Sequence, residues 1–155
     1  MNFPILSSLI LLPLIGSFFI FFNKSSEKNR TIKYVSIFIT FSNFLLSLYL
    51  WYIFDKSISD FQFIEDREWI SGLINYKVGI DGISILFVVL TAFITPLCVI
   101  SVISTIKYRL KDFLIAILIM ESLMIGVFCS LDLVVFYLFF EGGLIPMFLI
   151  IGIWG

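Results

Sequence analysis

FLIAILIM (113–120), then Glu121, then SLMIGVFCSLD (122–132), then LVVFYLFF (133–140): this stretch decides the fold. Strands of a membrane barrel are about 10 residues long and alternate in polarity, and neither octet alternates. Both read instead as helix interiors too apolar to rest in water. In lipid every backbone group must pair within its own segment, which leaves helices. Working outward, residues 1–23, 34–54 and 82–106 contain no Asp, Glu, Lys or Arg. Each run is long enough to cross about 30 Å of hydrocarbon, which takes about 20 residues. The stretches 113–131 and 133–155 add two more, each interrupted by one acid. The pattern predicts an all-α polytopic membrane protein with five spans at about 3–22, 34–54, 82–105, 113–130 and 133–154, forming one membrane domain over 1–155.

Composition agrees. Of 155 residues, 61% are hydrophobic and 14% charged, and the mean hydropathy is +1.13. A soluble domain is about 45–50% apolar and about 25% charged, and one this small hides too little surface for such a chain. A net charge of −1 with no basic stripe excludes a nucleic-acid partner. With no histidine, the commonest metal ligand and general base is absent. Cys98 and Cys129 stand far apart in apolar runs, so they read as buried small hydrophobes and not as a metal or redox pair. Residues 1–22 have no basic leader and contain Pro4 and Pro13, so they read as a retained span and not a cleaved signal.

Basic residues orient the spans. Lys24, Lys28, Arg30 and Lys33 precede span two, and Lys107, Arg109 and Lys111 precede span four; the loop 55–81 has three, Lys56, Arg67 and Lys77, among six acids. The excess of positive charge puts the first and third loops inside, so the N-terminus and the 55–81 loop lie outside and the C-terminus inside. Phe61, Phe63, Trp69 and Tyr76 suit a short hairpin or interfacial stretch in that loop, where Glu65, Asp66, Arg67 and Glu68 read as a solvated run. Asp81 and Asp132, each just before a span, read as helix N-caps.

Glu121 and Glu141 are the candidate functional residues. A charge at the bilayer centre costs about 2.5–3.5 kcal/mol on insertion scales and persists where it faces protein or water. Each acid stands nine residues from the Ser130–Asp132 turn, which puts both near mid-membrane at about 13–14 Å from it. The chemistry this suits is a proton relay; the competing reading is a protonated glutamate that only aids packing. After Glu141, Gly142 and Gly143 loosen the backbone and Pro146 removes a donor, so a helix kink is expected there. The glycines alternatively serve close packing. Pro96, after Thr91 and Thr95, marks a weaker second candidate kink.

GIDGISILFVVLTAFITP (79–96) and ESLMIGVFCSLDLVVFYLFFEGGLIPMFLIIGIWG (121–155), with FQFIED (61–66) before a tryptophan, resemble the subunit 4 (chain M) family of the proton-pumping NADH:quinone oxidoreductase, respiratory complex I. The resemblance covers most of the chain. It implies an antiporter-like membrane-arm subunit taking part in proton translocation, with Glu141 as the relay carboxylate and Glu121 as a possible second. It implies no cofactor in this chain; FMN, iron–sulfur clusters and ubiquinone belong to the complex as a whole. The implied partners are other membrane-arm subunits, the lipid bilayer and, because the family's chains are much longer, a second polypeptide carrying the rest of a split subunit. The implied location is the mitochondrial inner membrane, or a bacterial inner membrane. Alternatives are a structural scaffold with silent glutamates and a subunit of a cation/proton antiporter.

Overall fold

The computed structural model describes residues 4–23, 30–70 and 74–155. Five helices and one hairpin follow in order: α1 Ile5–Phe22, α2 Arg30–Ile53, β1 Gln62–Ile70, β2 Ile74–Ile80, α3 Ser84–Thr105, α4 Leu110–Cys129 and α5 Leu133–Trp154. All five helices are long and apolar enough to cross a membrane. The expected spans are therefore present, with shifts at their ends. α2 begins at Arg30 and not at 34, and α4 at Leu110 and not at 113, because charged side chains can sit in the first turn of a helix at the polar boundary. Lys24, Glu27 and Lys28 of the first loop lie outside the described residues.

α4 is the central helix. It packs against α1, α3 and α5, while α2 lies against α1 and α3. Eleven of its 20 residues are buried against two of 22 in α5, so α5 is the exposed wall of the bundle. Two apolar clusters hold the helices. One gathers Leu6, Leu9, Leu50, Val78, Ile80, Val88 and Ile125 at the hairpin end. The other gathers Ile20, Ile32, Val99, Phe113, Leu114 and Leu118 at the opposite end. Between apolar helices in lipid the hydrophobic effect supplies little, so close contact and interhelical hydrogen bonds carry the association. Gly126 illustrates the contact: a Cβ there would stand 2.7 Å from the Phe139 ring, so glycine is what lets α5 lie on α4.

The hairpin closes one end. β1 and β2 are antiparallel, with Glu65 opposite Val78, Asp66 opposite Lys77 and Arg67 opposite Tyr76. The ladder is irregular between Gln62 and Glu65, where Phe63 takes a left-handed φ of 55°. Such a bulge re-aims the side chains that follow it, here Glu65. Leu131 donates its backbone N–H to the Lys77 carbonyl at 2.9 Å, tying the hairpin to the α4–α5 turn. At the far end, Lys111 donates from Nζ to the carbonyls of Phe21 and Asn23 at 3.0 and 2.8 Å. Trp154 donates from Nε1 to the Tyr108 carbonyl at 2.9 Å. Thus the end of α1, the start of α4 and the end of α5 lie together, and the hairpin lies at the opposite end with the α4–α5 turn.

Both acids bond the start of the helix that follows, Asp132 from the N-cap position of α5 and Asp81 from two residues ahead of Ile83, the N-cap residue of α3. Asp132 accepts from the N–H groups of Val134 and Val135 at 2.9 and 3.2 Å. Asp81 accepts from Ser84 N–H at 2.7 Å while Ser84 Oγ accepts from Asp81 N–H at 2.8 Å, a reciprocal box of the kind that satisfies helix-start donors. Those bonds hold the Asp81 carboxyl below its ordinary range.

Candidate functional site

The two intramembrane glutamates occupy different environments. Glu121 is buried, with 2% of its surface exposed. It points across the bundle to α2, where Asn43 Nδ2 donates to its Oε1 at 2.9 Å. Its neighbour Ser122 donates to the Ile10 carbonyl of α1 at 2.5 Å. These two bonds link α4 to α2 and to α1 in a polar layer between the two apolar clusters. Glu121 also lines a groove of about 540 Å³ between α3 and α4, with Thr91, Thr95 and Cys98.

Glu141 lies on the exposed side of α5, one turn after the exposed Tyr137. Around it on the same surface stand Phe140, Leu144, Ile145 and Phe148. The carboxylate and the backbone-loosening residues part company here. Gly142 lies against Leu123 of α4, and Pro146 is buried beside a groove shared with Ile115, Ala116 and Ile119. The helix is continuous through Gly142, Gly143 and Pro146. Nor do the two acids meet. The contacts Gly126–Phe139 and Gly142–Leu123 put Glu141 level with Met124, about one turn from the level of Glu121.

Two polar residues escaped the reading of the sequence. Asn43 belongs to a stripe, Ser36, Thr40, Asn43 and Ser47, that is fully buried. The steps of four, three and four residues were visible in the sequence as one polar face of the helix. Glu65 is not part of a solvated run. It accepts from the backbone N–H groups of Leu6 at 2.9 Å and Ser7 at 3.3 Å, and from the Ser7 hydroxyl. The N-cap of α1 is Pro4, which offers no side-chain cap, so the free N–H groups of the first turn take a carboxylate from the hairpin. Tyr76 joins through Ser7 Oγ at 3.1 Å. Burial pushes the Tyr76 hydroxyl above its ordinary range, the Ser7 bond lowers it, and the nearby Glu65 charge raises it further. Among the described residues no three Cys, Asp or Glu side chains form a group able to hold a metal ion.

Five membrane-length helices, α4 and α5 each carrying a glutamate within the span, define a polytopic helical membrane protein. No protein-family model matches the chain. It is 48% identical over 151 residues to NADH-ubiquinone oxidoreductase chain 4 of Marchantia polymorpha, covering 97% of this chain and 30% of that protein. It is 57% identical over 127 residues to NADH-quinone oxidoreductase subunit M of Rhodobacter capsulatus, covering 82% of this chain and 24% of that protein. With subunit M of Rickettsia prowazekii it shares 42% identity over the whole chain and 32% of the relative. The chain spans about a third or less of the length of these curated relatives. It is thus a homologue of the subunit M/chain 4 proteins and corresponds to their N-terminal part. Among solved structures, a chain of the archaeal membrane-bound sulfane sulfur reductase superposes with a TM-score of 0.75 at 18% identity, over 95% of this chain and 23% of that one, a likeness of fold.

Proposed function

We propose that this chain forms part of the membrane arm of an NADH:quinone oxidoreductase, in a mitochondrial or bacterial inner membrane, and takes part in proton translocation. Glu141 is its relay carboxylate. The observation that carries this reading is the position of Glu141: a carboxyl group within the span of α5, on the side of the bundle that its own four companion helices leave open. Facing acyl chains, the charge would cost about 2.5–3.5 kcal/mol. Facing further protein, it can receive and release a proton. The relatives supply roughly twice as much chain again, and in this reading that remainder, on the same or a second polypeptide, covers α5 and brings a basic partner to Glu141. Electron carriers (FMN, iron–sulfur clusters and ubiquinone) reside elsewhere in the complex.

For Glu121 a packing role competes with the relay role, because the Asn43 bond joins α2 to α4 deep in the bundle. The test of the main reading is Glu141→Gln in the assembled complex. NADH-driven proton pumping into vesicles is expected to fall at least tenfold, while NADH oxidation by a soluble acceptor is retained. Unchanged pumping in an assembled complex overturns it. Co-purification with flavin-bearing and iron–sulfur-bearing subunits separates this reading from a stand-alone cation/proton antiporter.

A further inference from the structure

Two buried polar atoms among the described residues make no hydrogen bond: Oδ1 of Asn43 and Oε2 of Glu121. They belong to the same pair of side chains, already joined by the bond from Asn43 Nδ2 to Glu121 Oε1. Both unpaired atoms are acceptors if Glu121 is ionised, so neither can satisfy the other. A proton on Oε2 turns that atom into a donor, and the amide already bonded to Oε1 carries the unpaired acceptor it needs, which is the pairing of a reciprocal acid–amide dimer. Turning the Asn43 amide over does not help an ionised Glu121, because an amide oxygen would then face a carboxylate oxygen.

Charge points the same way. The ion pairs among the described residues are Lys77 with Asp66 and Arg109 with Asp112, both outside the helix interiors. Neither pair involves Glu121, and Glu141 lies on the exposed side of α5. A buried carboxylate without a counter-charge is costly, whereas a neutral acid with both its polar atoms paired is not. We infer that Glu121 is held as a neutral carboxylic acid, locked head to head with the Asn43 carboxamide, and that Asn43 is the positioning residue of this proton-bearing site. The pair joins α2 to α4 and stands whether or not Glu141 relays protons.

Infrared difference spectroscopy on the assembled complex tests it without reference to pumping. Wild type against Glu121→Gln is expected to lose one carbonyl stretch of a hydrogen-bonded carboxylic acid, sensitive to deuterium and to ¹³C in the glutamate carboxyl. Asn43→Leu is expected to move that band to the higher frequency of an unbonded acid and to lower the midpoint of thermal inactivation. The exchanged pair Asn43→Asp with Glu121→Gln puts the acid on α2 and the amide on α4. It is expected to recover both the bonded band and the thermal midpoint. Loss of carboxylate bands in place of the acid band in Glu121→Gln overturns the inference. So does an acid band that Asn43→Leu leaves in place, which would mean that water from the α3–α4 groove, and not Asn43, holds the proton.

Discussion

Replacing Glu65 by Ala unlatches the hairpin from α1. The carboxylate meets the Leu6 N–H at 2.9 Å, the Ser7 N–H at 3.3 Å from either oxygen, and the Ser7 hydroxyl. One well-formed hydrogen bond to a charged group is worth about 1.5–3 kcal/mol. A negative charge at a helix start adds about 0.3–1 kcal/mol. The longer bonds to Ser7 add less, and the site is half-exposed, so the total is about 2–3 kcal/mol. With a factor of ten for about every 1.4 kcal/mol, local opening of the first turn of α1 should become about 30- to 140-fold more frequent. Hydrogen exchange followed by mass spectrometry on a peptide covering 5–12, in the assembled complex, reads this directly. Glu65→Gln, which keeps an acceptor but loses the charge, should lie between Ala and wild type. The exposed Glu68, replaced by Ala, is the control. If Glu65→Ala leaves exchange unchanged, or Glu68→Ala matches it, the hairpin is not latched by this carboxylate and the bulge at Phe63 has no such role.

Other outcomes follow from the same geometry. Gly126→Val drives a side chain into the Phe139 ring, where even a Cβ meets atoms at 2.7–2.8 Å. A loss of about 1–3 kcal/mol is expected as a lower thermal midpoint of the complex. Asp81→Ala removes the α3 cap at about 1 kcal/mol, seen as faster exchange at Ser84. Because the folded carboxyl lies below the ordinary 3.8, the wild-type cap contributes fully above that value and loses its contribution as pH falls through the lowered one. Wild type and Asp81→Ala therefore converge in acid and differ at neutral pH.

How much of this was legible in the sequence depended on the range of the interaction. Unbroken apolar runs place five helices because lipid offers the backbone no partner but itself, and that constraint acts within each segment. Asp81 and Asp132 were readable as caps for the same reason: the donors they satisfy lie two or three residues away. Glu121 and Glu141 announced themselves by the cost of charge in hydrocarbon, which depends on depth along one helix. Their different surroundings were not legible. A helix interior repeats every 3.6 residues, and which of its faces meets α2 and which stays open depends on how five helices pack. So Glu121 and Glu141, alike in sequence, part into a buried acid bonded to Asn43 and an acid on the open wall of α5. Glu65 was misread as solvated because its partners, Leu6 and Ser7, lie 59 and 58 residues away in the chain. Segment-local physics determined the spans, their caps and the presence of acids within them; only packing between distant segments decided which polar groups meet.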